Sequence, residues 1–317
     1  MRIRKLLTYD VVIPVYRPDD KLNKILDRLH RQRRLPEHIL LINTGKEYYE
    51  EFFGEETPEK KYDDVNVIHI SREEFDHGAT RDMGIRLSEA ECVLCMTDDA
   101  LPADSRLSEE LLRPIEEGRA ESSYARQLPG RSSSVYEAAS RCFNYPGEGC
   151  IKGSEDIETM GIKAFFCSDV CAMHLKKVYE ELGGFEDHVI FNEDMVYARK
   201  LIDSGRHIAY VPSARVIHSH DYSVKQYFKR SFDQGVSHAV FKDTFSDVSS
   251  EKEGMRLLKR MIRFYIKKKK AHEIPKMFFI NLSKYAGFRL GRSYEKLPEW
   301  LVLKLCGNRE YFHNLSN

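Results

Sequence analysis

Glu91-Cys-Val-Leu-Cys-Met-Thr-Asp-Asp-Ala-Leu-Pro102 is the stretch around which the rest of the chain is organised. The apolar run from Cys92 to Met96 is short and bounded, which predicts a buried strand. It stops abruptly at Thr97-Asp98-Asp99. Two adjacent carboxylates at the C-terminal end of a strand are costly unless a cation sits with them. In open α/β sheets that edge is where ligands bind. Oxygen ligands with room for phosphate and water suit Mg²⁺ or Mn²⁺. The plainer reading is a solvated turn closed by Pro102.

The flanking segments decide what kind of sheet this strand belongs to. Tyr9-Asp-Val-Val-Ile-Pro-Val-Tyr16 is a β-branched strand with a proline bend. Asp19 or Asp20 can cap the helix that follows, with Leu22, Ile25, Leu26 and Leu29 on one face. Strands are expected over 38–42, ending at Asn43, and over 65–70. A helix follows Glu73-Glu-Phe-Asp-His-Gly-Ala-Thr-Arg-Asp-Met-Gly84. This strand–helix rhythm predicts an α/β fold with a doubly wound, mostly parallel sheet, and a ligand site at its switch point. Further on, 109–117 reads as helix and 122–127 as strand, with a loop-rich stretch over 128–162. A hydrophobic strand-like run covers 163–173. Helices are expected over 175–182, 191–202 and 223–241, and a strand over 207–211 leads to Val216-Ile-His-Ser-His220.

The 317 residues suffice for one large domain or a domain plus an appendage. A hydrophobic fraction of 42% is that of a globular protein, and no stretch reaches the ~20 apolar residues of a membrane-spanning helix. Met1-Arg-Ile-Arg-Lys leads into a strand rather than an apolar leader. Formal net charge is zero, yet residues 255–317 hold 15 Lys/Arg against 4 Asp/Glu. An acidic body (1–245) with a basic helical C-terminal region (246–317) follows. Seven cysteines, an odd number set in apolar runs, read as reduced thiols.

Three further motifs are rich in chemistry. Glu193-Asp194 stands where a helix begins. Either the pair complements the helix dipole, or one carboxylate projects into a cleft as a general base. The helix N-terminus would then keep that base ionised. His218-x-His220, if on a strand, puts two imidazoles on one face, able to bind a metal or a phosphate. In His77-Gly-Ala-Thr-Arg81, a Gly turn sets Arg81 just inside a helix start, where anions bind. The alternative is a surface arginine in a local ion pair.

In this order, Val11-Val-Ile-Pro-Val-Tyr16, His77-Gly-Ala-Thr-Arg-Asp-Met-Gly84, Thr97-Asp-Asp-Ala-Leu-Pro102, Leu182-Gly-Gly-Phe185 and Asn192-Glu-Asp-Met195 resemble inverting glycosyltransferases of family two, with the GT-A (Rossmann-like) fold. Phe75-Asp-His-Gly-Ala-Thr-Arg81, Arg126-Gln-Leu-Pro129, Phe143-Asn-Tyr-Pro146, Gly161-Ile-Lys-Ala-Phe-Phe-Cys-Ser168 and His218-Ser-His-Asp-Tyr-Ser223 narrow this to the bacterial rhamnosyltransferase branch. The resemblance spans about residues 9–240. It implies a metal on Asp99, with His218 and His220 near metal and diphosphate. Asp194 is implied as base beside Glu193. Pro14, Tyr16, Asn43, His77, Arg81 and Asp98 are implied at the nucleotide-sugar. Two positions depart from the family: Asn43, where an acid usually contacts the base, and Asp82, where Asn usually follows the arginine.

The expected activity is transfer of a sugar from a nucleoside diphosphate, with inversion, to a glycan hydroxyl. The branch implies L-rhamnose from thymidine-diphosphate rhamnose, for bacterial surface polysaccharide. Uridine-diphosphate hexoses remain open as donors, as does a non-catalytic nucleotide-sugar binder. A nucleotidyltransferase would want a Gly-rich loop after the first strand, which Pro14-Val-Tyr-Arg-Pro18 lacks. Met255-Arg-Leu-Leu-Lys-Arg-Met-Ile-Arg-Phe-Tyr-Ile-Lys-Lys-Lys-Lys270 alternates apolar and basic positions at helical spacing. Such a helix suits an anionic membrane surface, packing on the body, or a homodimer contact. The expected setting is cytoplasmic, at the inner face of the membrane, where a lipid-linked acceptor would be met; no nucleic-acid partner is expected.

Overall fold

The computed structural model describes residues 6–248 and 250–315; Met1 to Lys5, read above as the lead-in to the first strand, lie outside them. Its strands are β1 (Tyr9–Tyr16), β2 (Ile39–Thr44), β3 (Val65–Ile70), β4 (Cys92–Met96), β5 (Leu101–Pro102), β6 (Ser122–Leu128), β7 (Cys150–Lys152), β8 (Cys171–Leu175) and β9 (Ile208–Ile217). They form one sheet in the order β3-β2-β1-β4-β8-β6-β9-β5, with β7 on β9. The half from β3 to β4 is parallel, so the C-terminal ends of these four strands share one edge. Beyond β4 the sheet is mixed: β8 is antiparallel to β4 and β6, while β6 and β9 run parallel.

Continuous apolar strands imply burial on both faces. Val11, Ile13, Ile39, Leu41, Leu94 and Met96 belong to one core cluster, and their alternates Val12, Leu40, Ile42, Val93 and Cys95 to another. The first is covered by the Asp20–Leu29 helix, capped by Asp19 and burying Leu22, Ile25, Leu26 and Leu29, and by the Leu107–Glu116 helix. Each such leucine contributes about 1.5–3 kcal/mol through burial. The His77–Leu87 and Glu193–Asp203 helices cover the other face.

Two stretches differ from the sequence reading. Residues 128–162 are not all loop: Val135–Asn144 is a helix whose Ser134 cap accepts from Glu137 N at 3.2 Å. Its buried Tyr136 and Ala139 pack on C-terminal helices, a contact that local pattern does not show. The run 163–173 is strand only from Cys171. Before it, the carbonyls of Lys163 and Phe166 accept from the buried Lys152 ammonium at 3.0 and 2.5 Å rather than joining a ladder.

The C-terminal region packs on the body through two clusters that draw residues from both sides of position 246. One joins Tyr136, Ala139 and Tyr227 to Met261, Tyr265, Met277 and Ile280; the other joins Ile190, Phe232 and Val236 to Val302, Cys306 and Tyr311. The Ser250–Lys267 helix therefore turns its apolar stripe inward, with Leu257, Leu258, Ile262 and Phe264 also packed there. The Ile274–Gly291 helix crosses Val224–Val240 at backbone contact: a Cβ on Gly291 would lie 2.0 Å from Phe232 O. Asp233 fixes the chain end by accepting from Gly307 N at 3.0 Å and Asn308 N at 3.3 Å. Among the described residues no helix is long and apolar enough to cross a membrane.

Candidate active site

The shared edge of β1 to β4 opens into a cleft of about 320 Å³, lined by Pro14, Val15, Tyr16, Thr44, Arg72, Phe75, His77, Arg81, Thr97 and Asp98. Glu310, from the Arg309–Leu315 helix, closes one side and pairs with Arg72 at 2.9 Å. Pro14, Tyr16, His77, Arg81 and Asp98 thus stand together at the cleft. Asn43 does not line it. Its side chain is fully buried, donating to Gly45 O at 3.2 Å and meeting His69 Nδ1 at 3.0 Å, with Oδ1 unpartnered. Asp82 points elsewhere, accepting from Tyr179 OH at 2.8 Å and Arg86 Nε at 2.5 Å. Its departure from the family pattern is a scaffold change.

The His77–Leu87 helix begins at Asp76, whose Oδ1 accepts from Gly78 N and Ala79 N at 2.9 and 2.8 Å. Gly78 is not a turn residue. It lies inside the helix because a Cβ there would sit 2.0 Å from Glu186 O. This close approach places Arg81 against the Glu193–Asp203 helix. Arg81 Nη1 donates to Glu193 Oε1 at 2.8 Å and to His77 O at 3.0 Å, all but buried, with Nε unpartnered. Glu193 is therefore tied to an arginine. Burial drives the His77 imidazole below its ordinary pKa.

Beyond β4, Asp99 meets two imidazoles. His218 Nε2 lies 3.3 Å from Oδ1 and His220 Nε2 3.0 Å from Oδ2; the two ring nitrogens are 3.0 Å apart. The histidines are not on a strand, since β9 ends at Ile217; the loop after it turns both inward. Thr97 Oγ1 donates to Asp99 Oδ1 at 2.9 Å. His218 Nδ1 faces Gln127 Oε1 at 2.9 Å, and the same oxygen accepts from Arg141 Nη1, which can only donate. His218 Nδ1 thereby donates a proton to Gln127 Oε1. Burial lowers the His218 pKa, against the hydrogen bond and charge of Asp99, which raise it. Burial would raise Asp99, but hydrogen bonds and charge from His218 and His220 hold it well below the carboxylate range.

This donor set fits a small divalent cation. The three ligand atoms lie within 4.8 Å of one another. Right-angled ligands on a ~2.1 Å coordination sphere are roughly 3 Å apart. Asp98 accepts from Tyr16 N at 3.4 Å, and burial and the Asp99 charge push its pKa up to about 6.

A short line of contacts leads from this cluster to Asp194. His218 meets Gln127; Gln127 Nε2 donates to Ser168 Oγ at 3.0 Å; and the next residue, Asp169, donates its N–H to Asp194 Oδ2 at 3.4 Å. Met195 N donates to Asp194 Oδ1 at 2.7 Å. The helix N-terminus, expected to favour the ionised form of Asp194, is outweighed by the surroundings of the carboxyl. Burial, then the charges of Glu193 and Asp169, raise its pKa well above the ordinary value, against Arg81 and the Met195 N–H. Behind it, Asp169 Oδ1 and His174 Nε2 are 2.9 Å apart, both buried, and His174 Nδ1 meets Ser122 Oγ at 2.9 Å.

Sequence reasoning missed Asp169, His174, Gln127, Arg141, Arg72 and Glu310. Two signals were available: Gln127 stands in the Arg126-Gln-Leu-Pro129 motif, and Ser168-Asp169 interrupts an apolar run; the others are joined only by tertiary contact.

Comparison with known proteins fits this geometry. Residues 10–183 match the description Glycosyl transferase family 2. The chain is 30% identical over 310 residues to O-antigen chain rhamnosyltransferase RfbN of Salmonella typhimurium (strain LT2), covering 96% of each chain. It is 34% identical over 255 residues to O-antigen chain rhamnosyltransferase WbaN of Salmonella anatum, covering 79% of this chain and 80% of that one. In fold it is similar to a mannosyltransferase, PcManGT from Pyrobaculum calidifontis, whose structure is in complex with GDP-mannose and Mn²⁺. The TM-score is 0.55 at 12% identity, over 90% of this chain and 75% of that one.

Proposed function

The chain belongs to glycosyl transferase family 2, and we propose that it transfers a sugar, with inversion, from a nucleoside diphosphate to a glycan hydroxyl during surface-polysaccharide synthesis. What carries this reading is the line of contacts joining the Asp99 cluster to Asp194. The acceptor oxygen attacks the anomeric carbon as the bond from that carbon to the diphosphate oxygen breaks. Asp194 takes the hydroxyl proton. Its raised proton affinity makes it a stronger base than a surface aspartate. The N–H groups of Met195 and Asp169 orient its two oxygens. Glu193 is not the base; it holds Arg81 at the cleft wall. A divalent cation held by Asp99, His218 and His220 would offset charge on the departing diphosphate.

The names of the two relatives support rhamnose as the sugar and thymidine-diphosphate rhamnose as donor. A panel of nucleotide sugars scored by thermal shift with Mn²⁺ tests this: thymidine-diphosphate rhamnose should give the largest rise. A larger rise with a uridine-diphosphate hexose would replace that donor. The setting we propose is the inner face of the membrane, where a lipid-linked acceptor is within reach.

A further inference from the structure

The C-terminal helices carry a surface that the proposed reaction does not use. On Ile274–Gly291, Phe278, Phe279, Leu282 and Tyr285 are 44%, 62%, 63% and 52% exposed. At about 100° per residue these four fall on one stripe, together with Pro275 and Arg289. Met277, Ile280, Gly287 and Gly291 lie on the opposite side and are buried. The helix is thus apolar on both sides, with one side packed on Val224–Val240 and the other facing solvent. Cations flank the open side. Lys267 to Lys270 are exposed immediately before the helix, and Lys276 and Arg292 are exposed along it and at its end. Trp300, on the next helix, is 65% exposed.

Single exposed apolar residues are ordinary; four large ones on one stripe mark a binding face. We propose that this stripe seats the protein on an anionic lipid bilayer, with its aromatic rings at the headgroup boundary and the flanking cations on the lipid phosphates. Apolar insertion and a polybasic patch are the two signals that together give stable peripheral binding. Charge argues against a second copy of the chain as the occupant. A symmetric contact through this helix would bring the lysine run of one copy toward Arg289 and Arg292 of the other. The stripe differs from the one expected from sequence, because the Ser250–Lys267 helix spends its apolar side on the body. The proposal rests on the reading that the acceptor is met at a membrane.

The test is flotation of the full chain with phosphatidylglycerol/phosphatidylcholine vesicles at low salt, beside the variant Phe279→Glu/Leu282→Glu. Wild type should float with the anionic vesicles, weakly with pure phosphatidylcholine, and about ten-fold less as the variant. The melting temperature and the donor-induced shift of the variant should match wild type, since neither residue touches the cleft. Equal flotation of variant and wild type would overturn the proposal, as would wild type that stays with the unbound protein. So would light scattering showing a dimer that the variant loses while neither floats. The donor shift, read on the same samples, reports separately on the catalytic reading.

Discussion

Asp194 sits where chemistry and folding pull in opposite directions. Its folded-state pKa lies above the ordinary 3.8, because burial and two acidic neighbours oppose its charge. Between those two values the folded state binds more protons than the unfolded chain, so stability falls as pH rises through that window. Asp194→Asn removes this titration. The variant should melt above wild type near neutral pH, with the gap closing as pH falls below about 4. Turnover should drop ~10²–10⁴-fold while the donor-induced shift persists. Melting curves across pH and steady-state rates check both halves; a lower melt at neutral pH would contradict the electrostatic account. Asp169→Asn should act differently. It keeps an acceptor for His174 yet removes one negative charge facing Asp194, alongside Glu193, Arg81 and Tyr145. The acid limb of the kcat/KM profile should then move to lower pH. Lost activity with an unmoved limb would leave Asp169 a purely structural part.

At the scale of elements, the sequence was legible wherever local pattern and burial agree. β4 is an unbroken apolar run and β1 and β3 are rich in β-branched residues, and their observed bounds match those expected. The acidic tip of β4 and the histidines His218 and His220 were legible as candidate ligands, though the histidines converge from a loop rather than a strand face. What was not legible depends on contacts between distant segments. Val135–Asn144 is helical against a partner more than a hundred residues away. Gly78 looks like a turn residue until the carbonyl of Glu186 is placed beside it. Gly78→Ala should therefore force the His77–Leu87 helix away from that carbonyl, destabilising the fold by about 1–3 kcal/mol and weakening donor binding through Arg81. Chemical denaturation and a donor titration measure the two effects. A neutral outcome would mean that the contact is soft.

For the whole molecule, the charge asymmetry of the sequence acquires a geometry. The basic C-terminal region lies along Val135–Asn144 and Val224–Val240, and its end returns to the cleft as Glu310 beside Arg72. The same region that offers a surface to lipid thus borders the donor site. Two of the three candidate metal ligands are imidazoles, which suits Mn²⁺ better than the strictly oxygen-preferring Mg²⁺. Chelation should abolish the donor-induced thermal shift, and Mn²⁺ should restore it at lower concentration than Mg²⁺. The central claim is that the cation cluster and Asp194 act on the same sugar from opposite sides. Anomalous diffraction from crystals soaked with Mn²⁺ and an unreactive thymidine-diphosphate rhamnose analogue tests it most directly. The account predicts a Mn²⁺ peak between Asp99, His218 and His220, with the anomeric carbon lying between that peak and the carboxylate of Asp194. A peak elsewhere, or a sugar directed away from Asp194, would contradict it.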